Sequence, residues 1–187
     1  MDTLNAMILR QFAQCYAYGN QTLFGDHDPR FLHTGDAIRA RGYLTVGELF
    51  EIAHWKSPRR AGLTKKNPPE VVKGVTGLAL ALKDDHPGYA ANLLAVLRGV
   101  LLPTASAVLT VVDPQRFGII DIRAWNALSR WQPEQFPRKE QGTFTINEFM
   151  RYLDTIRQLA QDSALSSDSA LSCREVDMAL WQIDAST

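Results

Sequence analysis

Residues 97–125, LRGVLLPTASAVLTVVDPQRFGIIDIRAW, place a tight turn and an isolated acid within one short span. The pattern predicts an apolar helix ending at Leu97, a turn Arg98-Gly99-Val100-Leu101-Leu102-Pro103, and a second helix opening at Thr104-Ala105-Ser106. About twenty residues past Gly99, the run Phe117-Gly118-Ile119-Ile120 leads to Asp121 at the mouth of a third helix, Arg123-Ala124-Trp125. A tight helical turn points unpaired backbone N–H groups outward, where a phosphate can sit. A carboxylate held nearby can then act on a nucleotide anchored by that phosphate.

The segment resembles the helix-hairpin-helix DNA glycosylases, the superfamily of 8-oxoguanine, adenine-mismatch and alkylbase glycosylases. Their hairpin reads roughly L-x-G-V-G-x-x-T-A, with a catalytic Asp just over twenty residues on. Leu97, Gly99, Val100, Thr104 and Ala105 match, and Asp121 falls at the catalytic position. Glu48-Leu49 through Trp55-Lys56-Ser57-Pro58-Arg59, and Arg174 through Trp181, are similar to a bacterial group described by the 8-oxoguanine-glycosylase fold. The likeness spans about residues 43–181, and only the hairpin with its Asp carries mechanism. It implies an all-α, glycosylase-like helical domain that acts on damaged or modified duplex DNA. Two positions depart. Leu101 stands where the second hairpin glycine belongs, and glycine tolerates left-handed backbone and close ligand approach where leucine does not. Pro103 stands where bifunctional members carry the lysine that attacks the sugar. Proline has no amine, so the hairpin implies a monofunctional, hydrolytic enzyme with lyase activity absent from that position.

The chain as a whole sets the frame. Its 187 residues fit a single helical domain, with hairpin 87–112 and with residues 1–42 as an N-terminal appendage. Apolar content of 45% suits a folded core, and 20 Lys and Arg balance 20 Asp and Glu. That balance counts against a non-specific nucleic-acid binder and leaves a local basic face open. Cys15 and Cys173 are expected as core thiols rather than a disulfide. There is no four-cysteine cluster for an iron–sulfur centre, and His27, His33, His54 and His86 show no metal-ligand spacing, so no cofactor or metal is expected. No signal peptide and no run of about 18 apolar residues is seen, which leaves a cytoplasmic, membrane-free, monomeric protein as the default expectation.

The organisation reads as nearly all helix. Apolar residues at helical spacing predict a helix over 3–18. Thr45-Val-Gly-Glu48 is a capping box opening a helix to about Trp55, ended by Pro58. Asn67-Pro68-Pro69-Glu70 starts the next, to about Lys83, and Asp85 caps another through Leu97. Helices 87–97 and 104–112 are expected to pack as an antiparallel hairpin. Asp121 opens a helix to about Arg130, and Thr145/Glu148 and Ser172/Glu175 open helices at 146–163 and 173–183. Residues 19–33 and Ser166-Ser167-Asp168-Ser169 read as irregular.

Each candidate residue carries two readings. Asp121 is either a helix cap or a carboxylate that activates water and stabilises charge on the sugar as the base leaves, and the two are compatible. The hairpin residues Arg98, Gly99, Val100, Leu101 and Thr104 are either phosphate contacts or a plain helix connection, with Thr104 reading more as a cap. Trp55 could stack an extruded base or belong to the core. Lys56 could substitute for the missing nucleophile. Arg59, Arg60, Lys65 and Lys66 gather positive charge in one short segment, a DNA-contact candidate or a solvated run. His54 could meet Asp121 in a cleft. Trp125, Trp131 and Trp181 read as core. The leading expectation is a DNA glycosylase cleaving the N-glycosidic bond. A non-catalytic module binding DNA or protein, and an enzyme for free nucleosides or RNA, are the alternatives.

Overall fold

The computed structural model describes residues 4–20, 29–165 and 170–186, all helix and connection with no strand among them. The helices are α1 (Ala6–Asn20), α2 (Pro29–Arg41), α3 (Val46–Lys56), α4 (Pro58–Ala61), α5 (Pro69–Leu82), α6 (Pro87–Ala95), α7 (Leu102–Val112), α8 (Ile122–Leu128), α9 (Ile146–Leu165) and α10 (Cys173–Ala185). The loop assigned to 166–169 and residues 21–28 lie outside the described residues.

Local chemistry sets most boundaries. Thr45 accepts from the Glu48 N–H while the Glu48 carboxylate accepts from the Thr45 N–H at 2.7 Å, the reciprocal box that starts α3. The same box starts α10 at Ser172 and Glu175. Several starts and ends differ from expectation. α5 begins at Pro69 with Pro68 as its cap, because the Asn67 side chain is spent elsewhere. α6 begins at Pro87 after His86, leaving Asp85 outside. α7 begins at Leu102, so Thr104 lies within it, 2% exposed, and is neither its cap nor a surface contact. α8 is shorter, ending at Leu128.

The largest departure is α2, which occupies part of the stretch expected to be irregular. Glycine, proline, aspartate and histidine disfavour helix there. Tertiary contact overrides them. A Cβ on Gly35 would lie 2.2 Å from the Val111 carbonyl oxygen, so the missing side chain lets α2 rest directly on the backbone of α7. The Arg39 guanidinium donates to the Val112 carbonyl at the same contact.

The core is continuous from α1 to α10. Leu9 and Ala13 of α1, Ile38 of α2, Leu49 and Ile52 of α3, and Val176 and Leu180 of α10 are among its members. α7 is its axis, with Thr104 through Val112 all buried. Trp125 is fully buried, meets Phe136 edge-on at 4.8 Å and donates from Nε1 to the Pro137 carbonyl. Cys173 is buried as expected, and burial pushes its thiol up to about 11, so it is inert at neutral pH. Cys15 is exposed on α1, contrary to the core-thiol expectation, and both cysteines are free.

Candidate functional site

Asp121 ends a non-helical segment, 118–121, held between α7 and α10. The side chains around the segment clamp its backbone. Ser106 of α7 accepts from the Ile120 N–H at 3.1 Å, and Asp177 of α10 accepts from the Ile119 N–H at 2.6 Å. The buried Tyr152 hydroxyl donates to the Ile119 carbonyl. Gly118 is required because a Cβ there would lie 2.6 Å from Ile156 Cδ1 and 2.9 Å from both Asp177 Oδ2 and the Cys173 carbonyl. The Asp121 carboxylate therefore leaves a rigid backbone. Its Oδ1 accepts from the Arg123 N–H at 2.9 Å and caps α8, so the cap and the functional reading coexist.

Its other oxygen meets Lys56. The ammonium at the end of α3 lies 2.6 Å from Asp121 Oδ2, with the two side chains only 14% and 23% exposed. Burial raises the Asp121 carboxyl. The Lys56 charge, its hydrogen bond and the Arg123 N–H outweigh that and hold it below the usual carboxylate range. The acid is thus ionised at neutral pH. Lys56 and Asp121, 65 residues apart in sequence, form one side of a cleft of about 190 Å³ lined also by Tyr16, Trp55, Ile119, Arg174, Asp177 and Trp181. Tyr16, Trp55 and Trp181 give it aromatic walls.

The cleft corrects two sequence expectations and adds a pair of residues that the sequence reading did not single out. Trp181 is half-buried in the wall rather than in the core. His54 is exposed, lies beside the Phe50 ring at 5.5 Å and does not line the cleft. Arg174 and Asp177, to which the sequence reading gave no role, are 8% and 3% exposed and floor the cleft. Arg174 Nη1 donates to Asp177 Oδ1 at 2.6 Å, and Nη2 reaches the Tyr16 hydroxyl at 3.4 Å. The guanidinium carbon sits 5.6 Å from the ring centres of both Trp55 and Tyr16. α1, from the N-terminal part, thus supplies a cleft residue.

The hairpin turn lies against the basic segment. Gly99 has φ +85°, a left-handed conformation that glycine adopts without strain. A Cβ there would meet Leu63 Cβ at 2.9 Å and the Arg60 carbonyl and Thr64 N–H at 3.0 Å. Asn67 fastens the contact: it donates to the Thr64 and Arg98 carbonyls and accepts from the Arg98 N–H at 2.9 Å. Arg98, Arg59, Arg60, Lys65 and Lys66 are all exposed. Lys65 spreads its ammonium over the Phe50 ring at 3.5 Å. Val100 is 3% exposed, so its side chain packs inward and only its backbone is available to a ligand, a correction it shares with Thr104. Leu101 is 46% exposed and extended, at φ −115°, so no left-handed glycine is needed at its position. Its N–H and that of Leu102 open α7 facing no partner among the described residues, and Pro103 has none to offer.

Among the described residues no three His, Cys, Asp or Glu side chains gather as a metal site, and no helix is long and apolar enough to cross a membrane. Comparison of the chain with protein-family models, curated proteins and solved structures gives no match.

Proposed function

We propose that the protein is a DNA N-glycosylase that extrudes a damaged or modified base into the cleft and releases it with Asp121. The observation that carries the reading is the ionised Asp121, paired with Lys56 at 2.6 Å in an aromatic-walled cleft. The neighbouring surface supports it. The short connection Ser57 and helix α4 lead directly from Lys56 to Arg59 and Arg60, and the hairpin turn packs on that same segment. Two basic elements beside one cleft suit a phosphate backbone flanking an extruded nucleotide. In the reaction, the electron pair of the N-glycosidic bond departs with the base, and positive charge grows on the sugar. Asp121 stabilises that charge and takes a proton from the water whose oxygen bonds to C1′. The product is an abasic site.

Lys56 favours a second reading of the same site. Pro103 removes the amine from the hairpin, and Lys56 brings one to Asp121 from α3. If Nζ, having passed a proton to Asp121, attacks C1′ as the base leaves with the glycosidic electron pair, the enzyme–sugar imine is reducible and elimination at the sugar cuts the strand without alkali. Purified protein incubated with duplexes bearing single lesions, with and without alkali and borohydride, decides between them. Alkali-dependent cleavage without an adduct supports hydrolysis, and a trapped adduct lost in Lys56→Met assigns the amine. Specific DNA binding with no base release from any lesion would leave a non-catalytic binding module.

A further inference from the structure

We infer that the outward face of α5 is a docking surface for a second copy of this chain, whose own α5 packs antiparallel against it. The inner face of the helix is already used. Val72, Thr76 and Ala79 are buried, and the Thr76 hydroxyl accepts from the Leu44 N–H at 2.9 Å. The outer face of a surface helix ordinarily carries charge. This one carries none from Gly74 to Leu82. Lys73, the last charge before that run, lays its ammonium over the Tyr43 ring at 4.8 Å. What α5 presents to water is Val71 at 40% exposure, Leu78 at 52%, and the exposed Gly74 and Ala81. These four positions recur at helical spacing along one side. A helix that is apolar on both sides belongs between two layers, and a single chain supplies one of them.

The face fits its own copy. A two-fold axis crossing at the level of Thr76 sets Gly74 against Leu78 of the copy and Val71 against Ala81 of the copy, and the reverse. Each larger side chain then meets a small residue. A Cβ on Gly74 would touch nothing within 4 Å, so the surface above it is open to receive a Leu78 side chain. Small residues on both helices let the two backbones approach closely, ridge into groove. The same axis brings Lys66, exposed just before α5, to the end of the copy that carries Asp85, exposed just after it. Asp84 is already held by Lys83 at 2.6 Å and Arg116 at 2.7 Å, so Asp85 is the acid this end offers. With Lys65 and Glu70 counted at one end and Lys83 at the other, the ends remain basic and acidic. Antiparallel pairing matches those signs, and parallel pairing opposes them. One helix pair is a small interface, which sets the association in the micromolar range. Lys66 then serves the pairing, while Arg59 and Arg60 keep their place in the DNA reading, on which the pairing does not depend.

The test is sedimentation equilibrium of the full chain without DNA, from about 1 to 300 μM, a range that brackets a micromolar dissociation constant. Wild type should pass from the 20.9 kDa chain to twice that mass as concentration rises. Two variants alter the fit without adding charge. Leu78→Gln removes the apolar side chain, and Gly74→Gln fills the space that receives it. Each should weaken association about tenfold or more, as truncating or blocking a central contact does. Gly74→Gln also separates docking from folding. The added side chain meets nothing in its own chain and replaces glycine within a helix, so its melting temperature should not fall. The charges give the orientation. Lys66→Asp and Asp85→Lys should each weaken association, and the double variant, which exchanges the two signs, should restore it. A wild type that stays at the single-chain mass throughout overturns the proposal and leaves the face to the helix of a different protein. Association that survives Gly74→Gln and Leu78→Gln overturns it by placing the contact elsewhere. A charge exchange that fails to restore association overturns the antiparallel pairing.

Discussion

The Lys56–Asp121 pair can be weighed by a double-mutant cycle on stability, using Lys56→Met, Asp121→Asn and their combination. The contact is 2.6 Å long, between side chains 14% and 23% exposed. That places it above fully exposed ion pairs, which contribute about 0.2–1 kcal/mol. Hydrogen bonds to charged groups contribute about 1.5–3 kcal/mol, and this range is expected for the coupling energy. The single variants should differ. Lys56→Met strands a carboxylate that is mostly removed from water, whereas Asp121→Asn keeps an oxygen to cap α8 through the Arg123 N–H. Lys56→Met should therefore be the more damaging change. At about 2–4 °C per kcal/mol for a chain of this size, its melting temperature should fall by about 3–12 °C. Urea unfolding of the four proteins gives the coupling directly. A coupling below about 0.5 kcal/mol would mean that the pair is no stronger than a solvated surface contact. The cleft would then lack the ordered Lys56–Asp121 arrangement on which the mechanism depends.

Three other predictions follow from the same geometry. Gly99→Ala meets both left-handed backbone and contacts at 2.9–3.0 Å with the Arg60–Thr64 segment, so it should cost about 2–5 kcal/mol, read by urea unfolding. A loss under about 1 kcal/mol would show that the hairpin does not seat as described. Glu48, Asp84, Asp121 and Glu148 all have carboxyls held below their usual range in the folded state. Their contribution to stability should be complete above about pH 5 and be lost as pH falls through about 4 toward the folded values, seen as a melting temperature that drops on acidification. A melting temperature that is flat or rises between pH 5 and 3 contradicts this. Charge reversal of Arg59 and Arg60 together should weaken DNA binding and flatten the plot of log affinity against log salt by about 1–2 units. Unchanged affinity and slope would place the segment outside the interface.

The sequence makes legible what depends on neighbouring residues and hides what depends on distant ones. The boxes at Thr45/Glu48 and Ser172/Glu175 act within one helical turn, and both helices begin where the pattern indicates. Asp121 as cap is legible for the same reason. Helix α2 is hidden because its local composition opposes helix, and distant contacts at Gly35, Ile38 and Arg39 hold it. Arg174 and Asp177 are hidden for a related reason. On α10 they have the spacing of a solvated ion pair, and what places them inside is Tyr16, 158 residues away, and Ile119, 58 residues away. The apolar spacing of Trp181 is the same whether the ring faces the core or a cleft. Lys56 stands out in sequence only for lying beside Trp55, and its pairing with Asp121 exists only in three dimensions.

The most direct measurement for the central claim is single-turnover base release by wild type and Asp121→Asn on the lesion that wild type processes best, with DNA affinity measured in parallel. Removing the charge while keeping the cap should slow release by about 100- to 1000-fold, the usual consequence of losing one preorganised electrostatic contact to a developing charge. Affinity for the same duplex should change by no more than about threefold, within 1 kcal/mol. An Asp121→Asn protein that binds equally and releases the base at the wild-type rate would contradict the assignment of Asp121 as the catalytic carboxylate.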